Sequence, residues 1–140
     1  MLPQQNPNAW SCLPTAFACV LDVPVNQVLT WLGHDGSEIL WPDLDEPLKR
    51  RCFHIQELIE YTLSKHRVRA VYLESVLTGG PDEYHSFKQE SATMNQIMAG
   101  QRGVILLPNH AVAWDGDFTI DGLVTKSLTP ESKITGFCLL

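Results

Sequence analysis

The sequence predicts an α+β fold, with helices in the first half of the chain and a mostly antiparallel sheet in the second half. Apolar residues recur at helical spacing up to about residue 64, whereas short apolar runs typical of strands follow from residue 67. The chain has 140 residues and is 44% hydrophobic, which is the size and composition of one soluble globular domain. We therefore expect residues 1–140 to form a single domain, with its helical half packed on the sheet.

Two short helices are predicted near the N-terminus. The first spans about residues 13–21 and carries Pro14 in its first turn, where the missing N–H of proline costs nothing. This helix is apolar nearly all round, which predicts burial on most sides. In the second helix, Asp22 is a candidate cap, Pro24 lies near the start and Gly33 follows the end.

A third helix is predicted from about His54 to Ser64, after an irregular stretch at residues 34–49 that contains two prolines and several acids. His54 then lies near a helix start, where a cation is unfavourable, so we assign it a packing or capping role. For His34, in the turn-like segment GHDGSE, a simple loop role is favoured over a role in shaping a cleft.

The second half of the chain is predicted to form five strands. Residues 67–73 alternate and contain Val and Tyr, so they form the first strand. Residues 78–91 are expected to form a polar loop, and residues 92–100 a short helix that ends at Gly100. The four remaining strands have the sequences GVILLP, HAVAW, FTID and KITGFCLL.

The charge and the cysteine pattern argue against several classes of function. Ten Lys and Arg against 16 Asp and Glu give a net charge of −6, which disfavours nucleic acid or an anionic membrane as the main partner. Neither a transmembrane run of 18 apolar residues nor a signal-peptide pattern is present, so we expect a cytoplasmic protein with free thiols. The four cysteines include no pair at the C-x-x-C spacing of zinc or thioredoxin motifs.

Cys12 lies where a polar, turn-forming segment meets the first predicted helix. The N-terminus of a helix carries a partial positive charge and unpaired N–H groups, which lower the pKa of a thiol and can bind a developing oxyanion. Cys12 is therefore a candidate nucleophile, whereas Cys19, Cys52 and Cys138 are expected to be small core residues. The alternative for Cys12 is a buried cysteine that only packs.

His110 is the candidate base, at the start of the predicted strand HAVAW. The Asp-Gly dipeptide at 115–116 is typical of a two-residue type I′ hairpin turn. Such a turn opposes Trp114 to Asp117. Four steps further along the strand, it opposes His110 to Asp121. Because directly opposed residues share a face, Asp121 would lie beside His110, fix its tautomer and stabilise its imidazolium form.

Asp115 is closer to His110 in sequence and stays an alternative partner. It lies five strand residues from His110, about 16 Å at the rise of a strand, and it occupies the turn. Geometry therefore favours Asp121, although a one-residue change in turn length would shift the register. The other interpretation of this segment is a surface hairpin with an incidental His–Asp pair.

The chain order of these residues, with Cys at a helix start and His at a strand start, resembles that of papain-like cysteine peptidases. More specifically, the chain is similar to the peptidase domain of bacteriocin-exporting ABC transporters and to its stand-alone relatives. The matching residues are Gln5, Cys12 with PTAFA, His110 with AVAW, and Asp121 on the following strand. The resemblance covers roughly residues 4–123, and it implies a papain-like fold with a Cys-His-Asp triad that acts on a protein or peptide. The segments SCLPTAFA, GHDGSEI and HAVAWDG also resemble small phage and bacterial proteins.

The same resemblance implies an oxyanion hole built from a Gln side chain and the backbone N–H of the Cys. In that family the Gln usually lies six residues before the Cys, and Asn6 occupies this position here. Gln5 and Gln4 lie seven and eight residues before Cys12. We assign the role to Gln5, and Gln4 and Asn6 stay open as alternatives.

The first functional hypothesis is a thiol hydrolase. Cys12 would lose its proton to His110, attack an acyl carbon and form a thioester, in hydrolysis of a peptide, isopeptide or side-chain amide bond or in acyl transfer. The stretch at residues 34–49, which includes Trp41, could wall the cleft and favour a basic or polar substrate.

The second hypothesis is a catalytically silent protein of the same fold that binds or inhibits a host protein partner. No cofactor is expected on either hypothesis. A metal site built from Cys12, His110 and Asp121 is disfavoured, because these three scattered residues include no closely spaced pair of ligands.

Overall fold

Helices precede the sheet along the chain, which confirms the α+β prediction. The computed structural model describes residues 1–35, 47–74, 85–86, 98–107, 110–128, 133–134 and 136–140. In these parts of the chain, the helices are α1 (Cys12–Val20), α2 (Val25–Leu32) and α3 (Pro47–His66). The strands are β1 (Val71–Glu74), β2 (His85–Ser86), β3 (Gly103–Leu107), β4 (His110–Trp114), β5 (Thr119–Asp121), β6 (Val124–Lys126), β7 (Lys133–Ile134) and β8 (Gly136–Leu139).

Six of these strands form one antiparallel sheet in the order β1-β8-β3-β4-β5-β6, and β2 pairs with β7 in a second, two-stranded sheet. The central strands β3 and β4 are buried over almost their whole length. This burial explains why their sequences are nearly continuous apolar runs, whereas a half-exposed strand would alternate.

Apolar side chains cover both faces of the six-stranded sheet. One cluster joins α1 to the sheet and includes Phe17, Leu106 and Ala113. The other cluster includes Ile105 and Val112, the sequence neighbours of two of those residues. Because successive side chains of a strand point to opposite faces, the two clusters lie on opposite sides of the sheet.

Helix α1 is the buried helix that its composition predicts. Every residue from Leu13 to Val20 is buried, and α1 packs on β4. The polar member of this run, Thr15, satisfies its hydroxyl by donating a hydrogen bond to the carbonyl oxygen of Ser11 at 2.7 Å. Helix α1 is therefore held on most sides. Among the described residues, no helix combines the length and apolar character needed to span a membrane.

Helix α2 begins two residues later than the predicted cap, Asp22, implied. Its N-cap is Pro24, and Asp22 lies before it with a left-handed φ of 58°. The side chain that satisfies the first amide comes from elsewhere, because the N–H of Val25 donates to Oε1 of Gln4 at 2.7 Å. The predicted end is confirmed, since Gly33 has a φ of 78° and closes the helix.

Helix α3 begins at Pro47, several residues before the predicted start. His54 therefore lies inside the helix, and its assignment to a helix start is wrong. Apolar spacing alone did not reveal the first two turns, where the sequence PLKRR is dominated by charge.

Short strands account for most of the other differences between the predicted and the observed elements. In the predicted loop at residues 78–91, His85 and Ser86 form β2 and pair with β7. Strand β6 was not predicted, and its three residues are all exposed. The predicted helix at 92–100, apart from its last three residues, lies outside the described residues. So do positions 36–46 of the irregular stretch, including Trp41.

Candidate active site

Cys12 is the first residue of α1 and is partly exposed, whereas the residues after it are buried. Its N-cap, Ser11, makes no side-chain hydrogen bond to the helix end. The amides of a first helical turn have no acceptor within the helix, and in α1 these belong to Cys12 and Leu13, because Pro14 has no N–H. The helix dipole therefore favours negative charge at the position of the Cys12 side chain.

His110 and Asp121 are in direct contact. Nε2 of His110 lies 2.9 Å from Oδ2 of Asp121, at a hydrogen-bonding distance. His110 begins β4 and Asp121 ends β5. Because these neighbouring strands are antiparallel, both side chains lie at the same end of the strand pair. Both side chains are partly exposed, as a site open to substrate requires.

The prediction that Asp121 lies directly opposite His110 is wrong by two residues. Trp114 pairs with Thr119, so the turn comprises residues 115–118. A shift of one residue would have moved Asp121 to the other face, but a shift of two residues preserves the face. Asp121 is therefore a diagonal neighbour of His110, and the diagonal separation of about 7–8 Å can be bridged by side chains.

Asp115 stabilises the hairpin turn and does not orient His110. Its Oδ1 accepts hydrogen bonds from the backbone N–H groups of Asp117 at 2.9 Å and Phe118 at 2.7 Å. The N–H of Asp115 also donates to the carbonyl of Phe118 at 3.1 Å. These bonds favour a four-residue turn, which is why the two-residue turn expected from the Asp-Gly dipeptide does not form.

The imidazole of His110 links Cys12 to Asp121. A hydrogen bond with the Cys12 side chain, a hydrogen bond with Asp121 and the negative charges of both groups raise the pKa of His110 to about 9, against the opposing effect of burial. Since Nε2 contacts Asp121, Nδ1 is the ring nitrogen left for Cys12. An imidazolium in this position favours the thiolate form of Cys12.

The N-terminal segment places two of the three candidate oxyanion donors beside Cys12. Gln4 and Asn6 line a small cavity together with Cys12 and Asp121. Gln5 does not line it, and its side chain is exposed. The assignment of the oxyanion role to Gln5 therefore does not match the structure. Exposure alternates along this segment, since Gln4 and Asn6 are half-buried and Gln5 is exposed.

The amide of Gln4 is used for structure. Its Nε2 donates to the carbonyl oxygen of Val23 at 2.8 Å and to that of Leu2 at 3.3 Å, while its Oε1 accepts the N–H of Val25. These bonds join the N-terminal segment to the start of α2. Asn6 is thus the remaining side-chain candidate for an oxyanion donor.

Two of the other cysteines are core residues, as expected. Burial raises the pKa of Cys19, and it raises the pKa of Cys138 to about 12. Both thiols are almost fully buried, so neither is suited to react with a substrate. The side chain of Cys52 lies outside the described residues.

A second polar cluster was not anticipated from the sequence. His34 and His54 both contact the carboxylate of Glu57, so the simple loop role assigned to His34 and the capping role assigned to His54 are incomplete. The available signal was the i, i+3 spacing of His54 and Glu57, which places them on one face of a helix. Nothing local indicated that His34, 23 residues before Glu57, would join them.

Comparison with known proteins gives no relative on which to base a function. No protein-family model, no curated protein and no solved structure matches this chain.

Proposed function

We propose that this chain is a papain-like thiol hydrolase that cleaves a peptide, isopeptide or side-chain amide bond through Cys12, His110 and Asp121. The observation that carries this proposal is the position of one imidazole between a thiol at a helix start and a carboxylate. The α+β arrangement, with the buried helix α1 packed against β4, supports a papain-like fold.

In the first half of the reaction, the Cys12 thiolate attacks the acyl carbon and the carbonyl electron pair moves to the oxygen. The imidazolium of His110 donates its proton to the departing nitrogen as the carbon–nitrogen bond breaks. Asp121 keeps the ring oriented through its 2.9 Å contact and stabilises the positive charge. The products of this half are an amine and a thioester on Cys12.

In the second half, water attacks the thioester, and neutral His110 takes the proton of the water. The Cys12 thiolate then leaves, and a carboxylic acid is released. If an amine replaces the water, the same site transfers the acyl group. The oxyanion of both halves would be stabilised by the backbone N–H of Cys12 and by the amide of Asn6, which replaces Gln5 in this proposal.

Selective alkylation tests the reactive pair without knowledge of the substrate. We expect a small excess of iodoacetamide at neutral pH to label Cys12 before Cys19 and Cys138, because the latter thiols are buried and largely protonated. Site-resolved mass spectrometry measures the rate at each cysteine, including Cys52.

The matched control compares two histidines. His110→Ala should slow the labelling of Cys12 by at least about tenfold, since the thiolate loses its counter-ion. His66→Ala removes an imidazole that contacts Tyr61 instead and should leave the rate unchanged. Equal labelling of all cysteines, or no effect of His110→Ala, would contradict the proposal. A Cys12→Ser protein that kept full biological activity would favour the silent binding protein.

A further inference from the structure

Three metal-ligating side chains converge where the end of α2 meets α3. His34 follows the C-cap of α2 by one residue, while His54 and Glu57 lie one turn apart on α3. Nε2 of His34 is 3.1 Å from Oε2 and 3.3 Å from Oε1 of Glu57. Nδ1 of His54 is 3.2 Å from Oε1 of the same carboxylate. Glu57 thus lies between two imidazoles.

The spacing of these atoms matches a metal coordination shell. One ligand atom from each residue lies within 4.8 Å of the other two. In a tetrahedral site with metal–ligand bonds of about 2.0–2.1 Å, neighbouring ligand atoms are about 3.3 Å apart. The nitrogen–oxygen separations of 3.1–3.3 Å in the cluster are already close to this value.

We propose that His34, His54 and Glu57 bind a divalent first-row metal ion, with Zn²⁺ as the preferred ion and a water molecule as its fourth ligand. Two imidazoles and one carboxylate are a ligand set that suits Zn²⁺, whereas Ca²⁺ and Mg²⁺ require more oxygen ligands. The ion fixes the end of α2 to α3, so its role is structural. This site shares no residue with Cys12, His110 and Asp121, and it does not depend on the proposed hydrolase activity.

Titration of the full-length Cys12→Ser protein with Co²⁺ tests the site, after treatment with a chelator. The substitution is needed because a thiol, an imidazole and a carboxylate at the candidate active site could also bind metals. We expect one equivalent of Co²⁺ to bind with visible d–d absorption and without the near-ultraviolet band of a cobalt–thiolate bond. Zn²⁺ should displace it, and bound Zn²⁺ should raise Tm.

Substitutions in the same background locate the bound ion. Glu57→Gln and His34→Gln should each weaken Co²⁺ affinity at least about tenfold. Substitution of a residue that only contacts a ligand typically costs about tenfold or more in metal affinity, so loss of a ligand should cost no less. Glu60→Gln makes the same chemical change on the exposed surface of α3 and should not alter affinity. Circular dichroism shows whether each variant is folded. If Glu57→Gln unfolds, His34→Gln still tests the site, because His34 lies outside the helices. Absence of Co²⁺ binding, or unchanged affinity in the folded variants, would overturn the proposal.

Discussion

Cys12 and His110 form one acid–base unit, because each favours the charged form of the other. The contact with Cys12 is the largest cause that raises the pKa of His110 to about 9, and the contact with Asp121 adds to it. Because this pKa lies above the ordinary value of 6.5, the imidazolium persists between pH 6.5 and about pH 9 and is lost at higher pH. In the proposed reaction, the proton needed by the leaving amine would therefore be available at neutral pH.

The pKa of His110 should fall in two variants. Cys12→Ser removes the thiol and Asp121→Asn removes the carboxylate that raise this pKa, so each substitution should lower it. Titration of the imidazole Cε1–H resonances by NMR measures both changes. Asp117→Asn, on the exposed turn of the same hairpin, is the control and should leave the titration unchanged. A His110 pKa near 6.5 in the unaltered protein would refute the ion pair.

The contact of His110 with Asp121 could be predicted because successive residues of a strand alternate between the two faces of the sheet. The turn was longer by two residues than the Asp-Gly dipeptide implied, yet a change of two leaves the face unchanged. Position along the strand was less predictable, because the side chain of Asp115 selects the turn through bonds that a dipeptide pattern does not encode.

At the scale of elements, the N-terminal segment combines two roles on alternate residues. Gln4 joins this segment to α2, its backbone N–H also donates to the carbonyl of Gly122, and Asn6 lines the same small cavity as Cys12. Counting positions from Cys12 could not distinguish Gln4, Gln5 and Asn6. The choice depends on which residues of the segment are turned towards the protein, and that is set by tertiary contacts.

Alanine substitutions along this segment should separate stability from catalysis. Gln4→Ala removes hydrogen bonds to backbone groups and should lower the free energy of unfolding by about 1–3 kcal/mol. Gln5→Ala, at an exposed position, should change it by less than about 0.5 kcal/mol. Urea denaturation measures both values. Equal losses of stability in the two variants would contradict the different roles assigned to Gln4 and Gln5.

Asn6→Ala should change chemistry more than stability. Loss of one oxyanion donor typically slows an acyl-transfer step by about 10²–10³-fold. We therefore expect slower acylation of Cys12 by an activated ester in this variant. Alkylation by iodoacetamide forms no oxyanion and should keep its rate, so a parallel fall in both rates would show that Asn6 acts on the thiol instead.

At the scale of the whole molecule, the candidate site lies at the ends of buried elements. Cys12 begins the buried helix α1, and His110 begins the buried strand β4. The apolar pattern of these segments was sufficient to predict the fold class, because burial of β3 and β4 on both faces leaves continuous apolar runs. Contacts between distant residues, such as that of His34 with Glu57, left no such pattern in the sequence.

The two apolar clusters should differ in their effect on the candidate site. Phe17 and Phe137 are both fully buried, but Phe17 lies in the cluster that contains α1 and Phe137 in the cluster on the opposite face of the sheet. Phe17→Leu and Phe137→Leu should each lower the free energy of unfolding by about 1–2 kcal/mol. Only Phe17→Leu is expected to slow alkylation of Cys12 in the folded protein, because a looser α1 holds the thiol less closely to His110. Equal alkylation rates in both variants, measured well below their Tm values, would mean that packing beneath α1 does not position Cys12.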